Sequence, residues 1–135
     1  QTPNFQLNQW SPEDYVRRTD FNADNLKIDA ALAAAGNCRI VTGSYTGTGK
    51  YGSSNANSLS FDGQPLVILI QAGDARRFAV LLNGCTSGNA VSVGSGDRVN
   101  VSWTDTSVTW YNSETSSIQM NDLGIIYHYT ALLSA

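Results

Sequence analysis

Charge is scarce in this sequence: Asp, Glu, Lys and Arg make up 14% of 135 residues, and 11 acids against 8 bases leave a net charge of -3. A globular chain usually carries about a quarter charged residues. With acids outnumbering bases along the chain, tight nucleic-acid binding through a basic surface is not expected. Long apolar runs are missing too. Runs such as Leu66 to Ile70 are strand-sized, far below the ~20 residues of a membrane helix, so a soluble protein without membrane insertion is expected. No basic stretch followed by an apolar one opens the chain, so no signal peptide is expected, and Gln1 in place of an initiator Met suggests an excised or processed product. Cys38 and Cys85 are too few for a disulfide framework and are expected as small buried thiols. A single bridge between them stays open, because spacing does not report the distance between their Cα atoms. With one histidine, His128, and no Ser or Cys in a nucleophile-elbow context, the catalytic inventory is too thin for an enzyme. No cofactor is expected.

Glycine is absent from the first 35 residues, and all 12 glycines follow. That boundary separates two architectures. Before it the text is helical: Ser11 with Pro12, Glu13 and Asp14 resembles a helix start, and a second start follows at Thr19 or Asp20. The second pattern runs to a stop at Gly36 and Asn37. Within it Phe21, Asn25, Ile28, Leu32 and Ala35 recur at alternating spacings of four and three, an apolar seam with one polar knob. An Asn in such a seam fixes register and strand number, while Asp24, Lys27 and Asp29 flank it. Two heptads also fit an amphipathic helix packed on its own domain.

From Arg39 onward the period is two. Arg39 to Tyr45, Ser58 to Phe61, Leu66 to Gln71, Arg77 to Leu82, Asn89 to Val93, Arg98 to Trp103, Ser107 to Tyr111 and Ile125 to Leu133 are expected as strands. Turn residues separate them at Gly47 to Gly49, Asp62-Gly63, Ala72 to Asp74, Asn83-Gly84, Gly94 to Asp97 and Asp105. Eight short strands with no intervening helix predict a mainly β fold, an antiparallel sandwich or small barrel. Val99, Val101 and Trp103 share one face, which Val108 and Trp110 continue across a hairpin. Leu66 to Ile70 is apolar on both faces, so it needs cover on two sides, from the domain's own sheets or from a neighbouring copy.

Binding surfaces are easier to find than catalytic ones. Trp110, Tyr111 and Asn112 beside a turn, and Tyr45, Tyr51 and Asn55 in the Gly-rich stretch, pair rings for a pyranose face with polar groups for its hydroxyls. The segments Gln71 to Arg77, with Asp74, Arg76 and Arg77, and Gly84 to Asp97 are candidate recognition loops. The first expectation for Trp103 and Trp110 is a place in the core, and the default for Asp74, Arg76 and Arg77 is a solvated charged turn. Acid pairs for glycoside hydrolysis could come only from Asp62, Asp74, Asp97, Asp105, Glu114 and Asp122, most of them in turns that use carboxylates for backbone hydrogen bonds. His128 faces away from Tyr127 and Tyr129. No metal is expected unless a threefold axis brings three copies of His128 together.

These residues resemble a family. Asn4 to Trp10, then Asp20 to Asn25 and Lys27 to Leu32, are similar to the segment found in tail-fibre proteins of tailed phages and prophages of Gram-positive bacteria. The second half resembles their Gly-rich β domain through Gly43 to Gly49 with Tyr51-Gly52, Asn57 to Phe61, Pro65 to Ile68, Met120-Asn121, Gly124 and Tyr127 to Leu132. The end departs from it, with Leu133-Ser134-Ala135 where similar domains close on a Gly. The resemblance implies a trimeric virion component. Residues 1–37 would be a polar arm and coiled-coil-like assembly segment, and 38–135 a β-sandwich that binds a host cell-surface glycan or protein multivalently. Such a protein is made in the host cytoplasm, sits in the virion tail and meets other tail proteins. Two alternatives remain at this level: a structural tail or baseplate component that docks another virion protein through residues 1–10, and an extracellular lectin unrelated to phage.

Overall fold

In a computed structural model the described residues are 1–36, 38–92 and 95–134, with backbone alone at 89–92, 95 and 96. Asn37, Val93, Gly94 and Ala135, which carry part of the expected helix stop, one strand end, one turn and the terminus, lie outside them. The chain divides into two compact units, Gln1–Asn37 and Cys38–Ala135.

The first unit is an arm and a helix, α1 (Arg18–Ala35). No helix starts at Ser11. The Asp14 carboxylate instead accepts a hydrogen bond from Ser11 N–H at 2.7 Å while Asp14 N–H returns to the Ser11 carbonyl at 3.0 Å, which closes an isolated turn. Arg17 caps α1 without a side-chain bond, and Gly36 N–H closes its end on Leu32 O. The arm folds back on one flank of the helix: Asn8 N–H and Nδ2 both donate to the Asp24 carboxylate, and Lys27 Nζ donates to Gln6 O. That flank is not the seam. Phe21, Asn25, Ile28, Leu32 and Ala35 are all exposed, and α1 has no buried residue. Most helical stability in proteins comes from packing an apolar face, which α1 does not do within the single chain.

The second unit is mainly β: β1 (Cys38–Thr46), β2 (Asn57–Ser60), β3 (Pro65–Ala72), β4 (Arg77–Leu82), β5 (Ser87–Ser92), β6 (Ser95–Trp103), β7 (Ser107–Tyr111) and β8 (Ile126–Ser134). All pairings are antiparallel, in the order β1-β8-β3-β4-β5-β6-β7-β2. One continuous ladder therefore folds over at the β4–β5 pairing into two four-strand halves. Alternation decides what lies between them. Ile68, Ile70, Ala79, Leu81, Ala131 and Leu133 from one half meet Val99, Val101, Val108 and Trp110 from the other. Tyr45 of β1 closes the open side, stacked on Tyr127 with ring centroids 5.1 Å apart and edge-on to Trp110 at 6.0 Å.

Most of the segment Gly84 to Asp97 is strand rather than loop among the described residues. β5 pairs with β4 on one side and β6 on the other, and β6 already begins at Ser95. Its Ser, Gly and Asn content imitates a loop, but a strand held by ladders on both edges needs little propensity of its own. The cysteines also differ from expectation: Cys38 and Cys85 are both exposed and unpaired, because one opens the edge strand β1 and the other sits in the β4–β5 turn.

Two crossings leave the same end of the sandwich, residues 47–56 from β1 to β2 and residues 112–125 from β7 to β8, and they are tied to each other. Gly47 N–H donates to Ile125 O, Gly124 N–H to Gly47 O, and Gly49 N–H to Asn121 O. Gly47 cannot be exchanged there, since an added Cβ would fall on the Asp122 carbonyl. At the centre sits Gln119, fully buried: its Oε1 accepts from Gly52 and Asn112 N–H, and its Nε2 donates to Asn55 O and Asn57 Oδ1. Every hydrogen-bonding site of that amide is used, as a buried polar group requires.

Candidate functional site

The tie between the crossings also builds a cavity at this end. In the β3–β4 turn, Ala75 takes φ 59°, and the Asp74 carboxylate accepts a bond from Arg76 N–H at 3.1 Å. This fixes the order of charges at the rim. Asp74 stays beside Arg76, with Arg76 Nε 3.8 Å from Asp74 Oδ2, and the guanidinium itself is exposed. Arg77, the first residue of β4, shares the inward face with Ala79 and Leu81, so its side chain is largely covered. Its Nη1 lies 3.7 Å from Asp97 Oδ2, beyond hydrogen-bond distance, and is a buried nitrogen without a hydrogen-bond partner among the described residues.

The opposite wall is the β7–β8 crossing. Asp122 accepts a bond from Ser116 Oγ at 2.7 Å, and its N–H donates to Tyr127 Oη at 3.0 Å. Asp74, Arg76, Arg77, Asp122, Leu123 and Tyr127 thus line one cavity of about 670 Å³. Two guanidiniums donate, two carboxylates accept, and Leu123, with Ile125 beside it, supplies an apolar patch. A neutral polyol fits that mixture, since each hydroxyl can both donate and accept.

Burial pushes the Tyr127 phenol up from its ordinary pKa, and the nearby Asp122 and Asp74 carboxylates add to the rise, while the bond from Asp122 N–H and the Arg77 charge oppose it. Burial raises Tyr45 far more, with Tyr127 beside it as the second cause. Both folded pKa values lie above the unfolded one, so the stabilisation is complete below about pH 10 and is lost as pH climbs past it. Denaturant titrations from pH 8 to pH 11 should therefore show a falling midpoint. Tyr45→Phe should flatten that fall while costing about 1 kcal/mol at pH 7, where the bond from Tyr45 Oη to Met120 O is lost. An unchanged alkaline slope in the variant would contradict the assignment.

The group Trp110, Tyr111 and Asn112 does not form a binding surface. Trp110 is 1% exposed with its indole N–H given to Gln119 O. Asn112 spends its Nδ2 on Arg98 O and its Oδ1 on the N–H groups of Glu114 and Thr115. Tyr111 is half-buried and lines no part of the large cavity. Strand alternation put Trp110 and Tyr111 on opposite faces, so the two rings never shared a surface. Tyr45 and Asn55 line a smaller notch of about 320 Å³ beside Lys50, and Tyr51 stands outside it. His128 is exposed on the outer face of β8, and no group of three His, Cys, Asp or Glu converges among the described residues.

The chain matches no family model, no curated protein and no solved structure. Of the site residues named from sequence, Asp74, Arg76 and Arg77 come together. Sequence reasoning missed the wall that faces them: Asp122 was weighed only as an acid for hydrolysis, and Ser117, Leu123 and Tyr127 not at all. Nothing local marks residues 112–125 as a wall, because their position is set by bonds to residues 47–57.

Proposed function

We propose that this chain is a phage tail-fibre protein whose β-sandwich binds a host cell-surface glycan in the Asp74–Arg77 cavity, with α1 assembling three copies. The observation that carries the reading is the cavity of about 670 Å³ itself, which brings the Arg76 and Arg77 side chains together with the Asp74 and Asp122 carboxylates. Sugar hydroxyls can accept from guanidinium N–H groups and donate to carboxylate oxygens, so one ligand suits both charges. Three such sites on one particle raise weak affinity by roughly 100-fold or more, provided that all can engage one surface. The protein acts outside the cell in the released virion, and its chemistry is binding rather than turnover.

Screening the purified chain against surface glycans tests this directly. Asp74→Asn keeps the turn, because the amide oxygen still accepts from Arg76 N–H, and Arg76→Ala removes an exposed side chain. Each should weaken glycan binding about tenfold or more and shift Tm by no more than about 2 °C. Retained binding in both variants would remove the cavity from the account. Intact host cells left unlabelled by the wild type would favour the structural tail component, and release of sugars from cell wall would favour an enzyme.

A further inference from the structure

The outer face of the half-sheet β1-β8-β3-β4 has no cover from the β unit itself. Register sets its rows. Ile40, Leu132, Val67 and Leu82 stand side by side across four strands, followed by Thr42, Thr130, Leu69 and Val80, then Ser44, His128, Gln71 and Phe78. No Asp, Glu, Lys or Arg occupies these rows. Five of the apolar members are open to solvent, Ile40 67%, Leu82 51%, Phe78 47%, Leu69 46% and Val80 39%, while Val67 and Leu132 are half-buried. A groove of about 600 Å³ runs between Leu69, Phe78, Val80 and His128. At one margin lies β1, a nine-residue edge strand whose other side has no partner strand among the described residues and which holds no Pro and only one charge, Arg39, ion-paired with Asp62. Edge strands that stay single usually carry Lys, Pro or a bulge.

We propose that this face is where the β units of neighbouring copies of the chain meet. Area selects the occupant. Strands about 4.8 Å apart and rows about 6.8 Å apart give a face roughly 20 Å on a side, on the order of 400 Å² in plan. That equals the largest patch of an ordinary monomer, yet is about half of what one partner contributes to a standard interface. A free partner protein gains too little area there to stay bound. A copy already held alongside by another element does not need the full area, because the second contact is intramolecular. α1 with its uncovered seam is such an element, and a face without charge repels no copy of itself. The inference rests on the self-association in the reading above and adds the surface on which the β units touch.

The test is sedimentation velocity of the full chain over a concentration series. Leu69→Lys with Val80→Lys places charge on two paired outward positions and leaves the core untouched. Dissociation should become at least ~10-fold easier, with an unchanged circular-dichroism spectrum. Ile40→Lys on the edge strand should act the same way and carries the test if the double variant does not fold. Association equal to wild type in the folded variants overturns the proposal. Ile28→Asp with Leu32→Asp separates this from the broader reading. If that variant dissociates and the lysine variants do not, the helix assembles the protein alone and the face proposal fails. If the wild type sediments as a single chain throughout, both fail.

Discussion

Gln119→Ala is expected to remove about 3–5 kcal/mol of stability, a large share of the 5–15 kcal/mol that holds an ordinary domain. The loss comes from what stays behind. Asn112 N–H loses its acceptor and Asn55 O and Asn57 Oδ1 lose a donor, while Gly52 N–H, which also donates to Asn112 O, keeps one partner. Each orphaned group costs roughly 1–3 kcal/mol, less what entering water recovers. Gln119→Leu fills the volume without restoring a bond, so urea denaturation should find it no better than Ala. Gln119→Glu gives a signed result. Its carboxylate still accepts from both N–H groups but turns a bare oxygen towards two acceptors, so its folded pKa rises above the ordinary ~4.3. A raised folded pKa means stability returns as pH falls and is lost as pH climbs through that value. The Glu variant should therefore be more stable at pH 5 than at pH 8. If Leu restored wild-type stability, packing would hold the crossings together and the hydrogen bonds would not.

Ile28→Asp with Leu32→Asp is expected to convert the assembled protein to single chains and to weaken labelling of host cells by about 100-fold or more, with single-site glycan affinity unchanged. Both residues are exposed in the lone chain, at 42% and 68%, so the change removes nothing from its own core. Helix content should drop as well. α1 has no side-chain N-cap bond and no buried residue, so it draws little support from its own chain. Unaltered mass and unaltered helicity in the variant would exclude the seam as the assembly device.

Strand alternation made the β unit legible. All eight strands were placed from period two, and Val99, Val101, Val108 and Trp110 were grouped on one face that the structure buries. Wrap order was not legible, because pairing β1 with β8 and β2 with β7 joins residues too far apart for any local pattern to report. The same limit hid Gln119: a glutamine in an aperiodic stretch gives no sign that it binds residues 52, 55 and 57. At the candidate site the Asp74–Arg77 turn stood out through its charges and its Gly, whereas Asp122 and Leu123 joined it only through the crossing. Trp110 shows the opposite failure. Composition beside a turn suggested a sugar platform, while the period-two rule already assigned that position to the core.

The central claim is that apolar surfaces left open by one chain, the α1 seam and the outer sheet face, are covered by two further copies. Sedimentation equilibrium of the intact protein at low micromolar concentration tests it most directly. The expected mass is three times that of the 14.5 kDa chain. A stable species of one chain's mass, folded and soluble with those surfaces open, would contradict it.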